Sequence, residues 1–452
     1  MHPGLPTVVL DGWVEPAAVA AALFDGGPPG TGIDGAMIDG AGIGGERIDG
    51  RRAFWLDDAS GEAAGRGRSW VGAGAETIGS LAGLRAALAA AERPVTPGPT
   101  APAQAAPGAA AWVGWIGYEA RAETMAEPIR HPERFPRVAL MRVAWALEFD
   151  HAARRVTAHG PAPDIRALPP APRPADAAAR EAHWADAAED YLAAIEACRR
   201  HIRDGDAYQL CLTTEARVEG PVDALAAHLR LRAATPSHHA GLLRVDGVSL
   251  VSASPERFLR LGGGRVATSP IKGTRPRGTS PATDAALAAA LAASPKERAE
   301  NLMIVDLMRN DLSRIAELGS VRVASLLAVE SHPAVHQLVS TVEARLRPGV
   351  GPVEALEATF PAGSMTGAPK RSATRILDRL EARARGVYAG AFGWIDSTGA
   401  ADLAMVIRSI VADAAGAVVG TGGGITAGSV PEEELAEARL KAAAPLAALG
   451  AR

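Results

Sequence analysis

The chain has 452 residues, a formal net charge of −4 and a pI near 6.3. This length predicts two or three core-forming units, and the charge gives no reason to expect nucleic acid or an anionic membrane as a partner. The two cysteines, Cys198 and Cys211, show neither metal-ligand spacing nor a disulfide framework, which is typical of a reducing compartment. We find no pattern of a secretion signal or a membrane span, and therefore expect a cytoplasmic location.

Two Pro/Ala-rich stretches, near 93–111 and 160–179, interrupt the chain. Because proline at this density blocks helices and sheet ladders alike, we interpret both stretches as exposed connectors. They separate an N-terminal region, 1–180, from a denser region, 181–452, which carries most of the motif-like segments. We predict the catalytic region within 181–452.

The elements of the denser region mix helical and strand periods. "WADAAEDYLAAIEACRRHIRDG" predicts an amphipathic helix ending at Gly205, and "AYQLCLTTEARV" predicts a strand. A hairpin is indicated around Gly262–Gly264, and residues 283–312 predict helix, with Pro295 as a local start or a kink. Short turns between strands and clustered helices favour an α+β fold, with antiparallel sheets and helices on their outer faces.

Two pairs of glutamates have helical spacing: Glu297 with Glu300, and Glu434 with Glu437. Members of each pair lie on one helix face, and two facing pairs would form an oxygen cage suited to Mg²⁺. The second pair also has a structural interpretation, since "SVPE" reads as a capping box led by Ser429 and acidic residues favour a helix N-terminus. Spacing alone leaves both interpretations open.

Two glycine-containing segments have features of ligand-binding loops. "GTGGGITAG" (420–428) follows a strand-like run, and its backbone N–H groups suit a carboxylate or phosphate, although a plain tight loop fits equally well. It lacks the dinucleotide spacing. "GSMTGAPKRS" (363–372) fails as a phosphate loop because Ala368 and Pro369 separate Gly367 from Lys370, and ATP binding is rejected.

Lysine is rare in this chain, with four lysines among 47 basic residues. One of them, Lys272, lies in "SPIKGTRPRG", which already holds Arg275 and Arg277. Arginine keeps its proton, whereas a desolvated lysine becomes a neutral amine nucleophile, and nearby arginines would disfavour its charged form. The residues alone leave a nucleophile, a point charge and chance as alternatives.

A set of segments carries a family resemblance. In chain order they are "DAYQLCLTT", "SASPERFLRL", "SPIKGTRPRG", "KERAENLMIVDLMRNDLSRI", "FPAGSMTGAPKRSATRILDRLE", "GVYAGAFGWIDSTG", "MVIRSI" and "GTGGGI…EEELAEARLKA". Together they resemble the chorismate-utilising enzymes, which include anthranilate, aminodeoxychorismate, isochorismate and salicylate synthases. The resemblance implies a two-subdomain α/β sandwich, with two antiparallel sheets enclosing the active site and helices outside.

The resemblance also implies roles for individual residues. Lys272 and Glu256 are expected to be catalytic, as nucleophile and general acid. The expected metal ligands for Mg²⁺ are Glu297, Glu300, Glu434 and Glu437. The expected substrate-binding residues are Gln209, Thr274, Ser364, Tyr388, Arg408, Gly422, Gly423, Gly424 and Lys441.

Three positions bear on the reaction. Family members that add water to chorismate carry a lysine base at the position of Gln209, so isochorismate and salicylate synthesis are not expected. "PIKGT" resembles aminodeoxychorismate synthase, whereas anthranilate synthases usually read "PIAGT". "VHQLVS" has Gln337 where the family usually has histidine, and His336 one step earlier. We predict aminodeoxychorismate synthase component I, with anthranilate synthase component I or an antibiotic-pathway aminating enzyme as the alternative.

The resemblance implies partners as well. Chorismate and ammonia are the expected substrates, and a separate glutamine amidotransferase subunit is the expected ammonia source, because neither cysteine lies in a glutaminase motif. Family members often bind tryptophan near the N-terminal sheet, here at "FWLDDAS" (54–60). This stretch departs from the usual effector pattern, so tryptophan is expected at most as a structural ligand.

Overall fold

The computed structural model describes residues 7–10, 12–24, 51–91, 111–165, 168–171, 173–333 and 335–452. Its helices are α1 (Pro16–Phe24), α2 (Ala59–Ala63), α3 (Leu81–Ala90), α4 (Arg121–Met125), α5 (Ala188–Arg203), α6 (Ala224–Ala234), α7 (Pro281–Ala293), α8 (Pro295–Ser313), α9 (Pro352–Thr359), α10 (Lys370–Glu381) and α11 (Pro431–Ala448). Its strands are β1 (Thr7–Leu10), β2 (Arg52–Asp57), β3 (Arg68–Ile78), β4 (Ala111–Ile116), β5 (Val138–Asp150), β6 (Arg155–His159), β7 (His183–Trp184), β8 (Gln209–Glu219), β9 (His239–Val245), β10 (Val248–Ser254), β11 (Arg257–Gly262), β12 (Arg265–Ser269), β13 (Ile271–Pro276), β14 (Arg322–Ser331), β15 (Val335–Arg345), β16 (Gly367–Ala368), β17 (Ala391–Asp396), β18 (Ala401–Met405), β19 (Ser409–Asp413) and β20 (Gly416–Ile425).

The strands form two antiparallel sheets that share the long strand β5. The first sheet runs β1–β6–β5–β3–β2–β9–β10–β19–β20–β8, and β7 and β16 also pair with β8. The second sheet runs β5–β4–β17–β18–β11–β12–β15, and β13 and β14 also pair with β15. The predicted α+β class with antiparallel sheets is confirmed.

Strand β5 can serve both sheets because it is long and apolar. Its sequence, VALMRVAWALEFD, is buried along nearly its whole length. Its last residues pair with β6 and its first residues pair with β4, while β3 runs along its other edge. A strand covered on both faces needs apolar residues at successive positions rather than alternation, which this sequence supplies. The fully buried Trp55, Trp115 and Trp145 fill the adjoining core.

Several elements confirm the sequence predictions. Helix α5 ends before Gly205, whose φ of +86° suits glycine, and the "AYQLCLTTEARV" run forms β8. Strands β11 and β12 pair as the predicted hairpin. Of the two alternatives for Pro295, the structure has the start: Ser294 caps the N-terminus of α8 and Pro295 is its first residue.

Two local predictions were wrong. The run 420–425 continues strand β20 rather than forming a loop, because its backbone is paired with β8. Helix α11 begins after Val430 with no side-chain cap, so the capping box led by Ser429 does not form. The Ser429 hydroxyl instead donates to Glu434 Oε1 at 2.7 Å. Glu434 does lie in the first turn of α11, where a carboxylate favours the helix dipole, as predicted.

Strands from both sides of the proposed boundary at residue 180 interleave. Strand β2 pairs with β9 and β4 pairs with β17. Of the two predicted connectors, residues 93–110 lie outside the described residues, and the described part of 161–179 forms no helix or strand. The division into 1–180 and 181–452 stays a prediction. No helix among the described residues is long and apolar enough to cross a membrane.

Candidate active site

The two sheets bring their predicted site residues together at one cleft. Strands β8 and β20 supply Gln209 and the glycine run from the first sheet, and β13 supplies Lys272 from the second. A Cβ atom placed on Gly424 would lie 3.5 Å from Lys272 Nζ. Segments about 150 residues apart in sequence therefore meet within the length of a side chain.

Glu256 is a buried carboxyl group at this cleft. Its Oε1 accepts a hydrogen bond from the Ser364 hydroxyl at 3.0 Å. Burial raises the pKa of Glu256 to about 7, although Lys272, the Ser364 hydrogen bond and Lys441 all oppose that rise. A carboxyl group with this pKa can hold a proton at neutral pH and release it, as a general acid must.

Lys272 lies in a negatively charged environment rather than among free arginines. The Arg275 guanidinium contacts Glu297 at 3.4 Å, and Arg277 forms a two-bond pair with Asp284 at 2.8 Å. Because both arginines are compensated by carboxylates, the expected repulsion of the Lys272 ammonium by Arg275 and Arg277 is not supported. The charge of Lys272 instead acts on nearby acidic groups, with Glu256 and Glu300 among them.

Gln209 places an unsatisfied amide at the cleft. Its side chain is fully buried, yet neither Oε1 nor Nε2 has a hydrogen-bond partner among the described residues. An unpaired buried amide is costly, and such groups usually bind a ligand or an ordered water. This arrangement supports the predicted substrate-binding role of Gln209.

Because Gly424 has no side chain, there is room beside it for the Gln209 amide. A Cβ at this position would overlap Gln209 Nε2 and approach Lys272 Nζ. We expect Gly424→Ala to displace both side chains and to raise the KM for chorismate by about tenfold or more, because displacements of about 1 Å at a site have effects up to roughly a hundredfold. Steady-state kinetics would measure it.

Gly428 provides the matched control for this prediction. A Cβ on Gly428 meets nothing within 4 Å, so Gly428→Ala should keep the wild-type KM. A Gly424→Ala enzyme with unchanged KM would contradict a substrate-binding role for the side chains that pack against Gly424.

The other two glycines of the run have separate reasons for lacking a side chain. A Cβ on Gly422 would overlap the Leu212 carbonyl oxygen of the paired strand β8, and one on Gly423 would lie 3.1 Å from Glu434 Oε2. The Lys441 amine donates to the Gly422 carbonyl at 3.0 Å. The run thus links the strand pair to the charged groups of α11.

Tyr388 packs against β20, and Arg408 lies within electrostatic reach of Tyr388. A Cβ on Gly420 would overlap the Tyr388 ring, so that glycine makes room for it. Burial raises the pKa of the Tyr388 hydroxyl well above its usual range, which keeps it a neutral donor. Arg408 forms no ion pair among the described residues, and its φ of +52° places it in the left-handed region, a strained backbone that is common at ligand sites.

Arg408 also lines a cavity with Thr274 and Gln337. This cavity has a volume of about 120 Å³. Neighbouring residues on a strand face opposite sides, and His336, next to Gln337, is bound elsewhere, by Asp284 at 2.9 Å and Ser331 at 2.8 Å. His336 therefore cannot replace the imidazole that Gln337 lacks.

Two of the four predicted metal ligands lie beside lysine ammonium groups. Lys441 binds Glu437 at 2.6 Å, and Lys296 lies 3.8 Å from Glu434. Within the described residues, no three His, Cys, Asp or Glu side chains are close enough to hold a metal ion. The metal assignment stays a prediction.

The donor chemistry of these carboxylates nevertheless fits a divalent cation. Burial raises the pKa of Glu300, and the charges of Glu297 and Glu434 add to that rise against Lys272 and Lys296. Burial alone would also raise the pKa of Glu437, but Lys441 lowers it. Carboxylates that repel one another and recruit ammonium groups form an oxygen-rich site for a hard cation such as Mg²⁺.

Two residues near the carboxylates were missed as site residues. Lys296 acts electrostatically on all four glutamates, and Ser429 binds Glu434. The rarity of lysine was the available signal for Lys296, since three of the four lysines lie near these carboxylates. The fourth, Lys370, is partly buried and donates to Asp311 and to the Thr359 carbonyl, both at 2.6 Å.

Neither cysteine is placed for nucleophilic chemistry. Cys198 in α5 and Cys211 in β8 are both buried and free. Burial raises the pKa of Cys198 to about 12 and raises that of Cys211 as well. A thiol in such surroundings stays protonated and inert.

Comparison with known proteins identifies the class of protein. Residues 52–447 match the sequence model of the chorismate binding enzyme family. The chain therefore belongs to this family, and the resemblance noted in its motifs is confirmed.

Individual relatives show which members of the family this chain resembles. The chain is 43% identical over 367 residues to aminodeoxychorismate synthase of Streptomyces pristinaespiralis, covering 75% of this chain and 50% of that protein. It is 41% identical to anthranilate synthase component 1 of Thermus thermophilus, covering 70% and 66%. The structure of anthranilate synthase component I from Streptococcus pneumoniae superposes with a TM-score of 0.66 and 30% identity, over 74% of this chain and 80% of that one. The chain spans about half the length of the Streptomyces aminodeoxychorismate synthases it matches.

Proposed function

We propose that this chain is the chorismate-aminating component of an aminodeoxychorismate synthase, forming 4-amino-4-deoxychorismate from chorismate and ammonia. One observation carries the proposal: the amine of Lys272 lies beside Gly424 of β20 and within electrostatic reach of Glu256. The names of the relatives support it. The product would enter p-aminobenzoate and folate synthesis, and we keep the expectation of a cytoplasmic location.

The proposed chemistry uses Lys272 twice. Lys272 first loses its proton to solvent, and the neutral amine then attacks carbon 2 of chorismate while the ring double bonds shift and the hydroxyl at carbon 4 leaves. Glu256 gives its proton to that hydroxyl, which departs as water. Ammonia then adds at carbon 4, the double bonds shift back, and the Lys272 amine leaves carbon 2. Arginine cannot perform either step, because it neither becomes a nucleophile nor leaves as a neutral amine.

Binding of the two substrate carboxylates is assigned to the surrounding donors. The Arg408 fork and the Tyr388 hydroxyl suit one carboxylate, and Thr274 and Ser364 add hydroxyl groups. Lys441 lies beside the glycine run, close to the carboxylates of α11. Glu297, Glu300, Glu434 and Glu437 would hold Mg²⁺, which supplies positive charge to the substrate when bound.

The ammonia source is proposed to be a separate glutamine amidotransferase subunit. The buried, protonated state of Cys198 and Cys211 gives this chain no thiolate for glutamine hydrolysis among its cysteines. Ammonium salts should therefore replace the partner in the isolated chain.

Tryptophan binding near "FWLDDAS" also stays a prediction. A cavity of about 560 Å³ lies beside this stretch. Asp58 and Arg68 offer charged groups to an amino acid, and Trp70 and Trp394 offer apolar faces. These residues suit a zwitterion with an aromatic side chain, although the stretch departs from the usual effector pattern.

Anthranilate synthase is the second candidate, since relatives of that name are 41–42% identical. Gln337 favours the first candidate: glutamine cannot act as acid or base, so a step that expels pyruvate would lack a proton-transfer group there. Gln337→His is the corresponding change. A product distribution unaltered by that change would count against this role of position 337.

The deciding experiment is a product assay. The purified chain, given chorismate, Mg²⁺ and ammonium near pH 7, where Glu256 still holds a proton, is expected to form aminodeoxychorismate, identified by mass. The same assay without ammonium is the control and should give no aminated product. Anthranilate with pyruvate as the products would overturn the proposal.

A further inference from the structure

Arg385 is a buried cation that the proposed reaction does not use. Its side chain is 1% exposed and pairs with Glu381, which is 3% exposed. The pair is bidentate: Arg385 Nε donates to Glu381 Oε2 at 2.8 Å and Nη2 donates to Oε1 at 2.7 Å. Burial alone would lower the pKa of Arg385, but the Glu381 carboxylate raises it well above its usual range.

The rest of the guanidinium binds two backbone segments that lead to the cleft. Nη1 donates to the Met365 carbonyl at 2.6 Å, and Nη2 donates to the Cys211 carbonyl at 2.8 Å. Met365 follows Ser364, whose hydroxyl holds Glu256. Cys211 lies two residues after Gln209 and is paired with Gly424.

The same ion pair contacts its surroundings on the remaining sides. Glu381 Oε1 accepts from the backbone N–H of Thr213 at 2.9 Å, and the Arg385 backbone N–H donates to Glu119 at 3.0 Å. The Arg385 guanidinium lies 4.3 Å from the centre of the Tyr118 ring. The pair therefore joins the segment that follows β4 to β8 and to the turn at 363–365.

Lysine could not make this set of contacts. Four N–H···O bonds leave one planar guanidinium in fixed directions, whereas an ammonium has three donors on a flexible stem. A fully buried charge is costly, and hydrophobic residues of similar size are often at least as stable as a buried ion pair. A contribution to folding stability is therefore not a sufficient reason for a buried ion pair at this position.

We propose that Arg385 is a positioning residue for the chorismate reaction, which holds Ser364 against Glu256 and the Gln209 strand against Gly424. The inference rests on the proposed function for the roles of Glu256 and Gln209. It adds a residue that touches neither substrate nor metal ligand and acts through two carbonyl groups.

The first test is Arg385→Lys, followed as chorismate consumption per folded enzyme. The expected result is a kcat lower by about ten- to a hundredfold. The alkaline limb of the pH profile should also move to higher pH. That direction follows because the Ser364 hydrogen bond lowers the pKa of Glu256, while Lys272 and Lys441, the charged groups facing Glu256, stay in place. Ser364→Ala should move the limb in the same direction.

Arg121→Lys is the matched control. Arg121 is another buried arginine, paired with Asp378 at 2.6 Å with side chains 6% and 8% exposed. It has no bond to the 363–365 turn or to β8 among the described residues. We expect Arg121→Lys to lower the melting temperature without shifting the alkaline limb of the pH profile. Arg385→Lys behaving like Arg121→Lys, with wild-type kcat and pH limb per folded enzyme, would overturn the proposal.

The double variant Arg385→Met with Glu381→Gln is a second test, used if the Arg385→Lys enzyme does not fold. This double variant leaves no unpaired charge and keeps an acceptor for Thr213. The proposal predicts the same lower kcat and shifted limb, and wild-type values overturn it. Because chorismate consumption is followed, an anthranilate product would refute the proposed function while these comparisons still decide the role of Arg385.

Discussion

Alanine at position 272 is expected to slow chorismate turnover by roughly two to four orders of magnitude, because it removes the atom proposed to bond to the ring. Lys272 Nζ lies at the cleft beside Gly424, within the electrostatic reach of Glu256. Without the nucleophile, the hydroxyl at carbon 4 must be displaced directly, and a high concentration of ammonia would restore only part of the rate.

Lys272→Arg separates nucleophilic from electrostatic roles. It keeps the positive charge but supplies no neutral amine, so it should be as slow as the alanine variant. Intact-protein mass after incubation with chorismate without ammonia should show an increase equal to chorismate less one water in the wild type only. A fast Lys272→Arg enzyme would reduce Lys272 to a point charge.

Glu256→Gln is expected to lower kcat by about 10² to 10⁴-fold, the usual contribution of a general acid. The wild-type rate should fall as pH rises above about 7. Burial raises the pKa of Glu256 to about 7, so the protonated, competent form predominates below that pH and is progressively lost above it. The glutamine variant cannot donate a proton and should show no such limb.

Glu119→Gln is the control for this assignment. Burial raises the pKa of Glu119 to about 7 as well, but this carboxyl group lies in the network behind the cleft, against the backbone of Arg385. Its replacement should leave the alkaline limb at the same pH. If the alkaline limb disappears in Glu119→Gln but persists in Glu256→Gln, the titrating group is Glu119 and the assignment to Glu256 is wrong.

The motif segments predicted the family and much of the local structure. The α5 helix, the β8 strand, the β11–β12 hairpin and the start of α8 at Pro295 all follow from patterns of neighbouring residues. Such elements can be predicted because periodicity, proline and glycine act within a few residues. The glycine run of β20 was interpreted as a loop because its pairing with β8, some 210 residues earlier, leaves no local signal.

In the candidate site too, some features follow from neighbouring residues and others depend on residues far away in the chain. The rarity of lysine indicated Lys272, but the compensation of Arg275 by Glu297 and of Arg277 by Asp284 depends on distant carboxylates. Ser429 has the sequence signature of a helix cap, yet it binds Glu434. A hydroxyl can accept from a helix N-terminus or donate to a carboxylate, and the tertiary structure decides which contact forms.

By itself, the sequence determined the residue types available for chemistry: one lysine in an arginine-rich segment, two spaced glutamate pairs and a run of glycines. Tertiary structure alone decided that Gln209 keeps an unpaired amide, that Glu256 is buried enough to hold a proton near pH 7, and that Arg385 joins two segments of the cleft. The physical reason is that burial and hydrogen-bond partners are set by residues far apart in the chain, whereas residue type and local period are written in each segment.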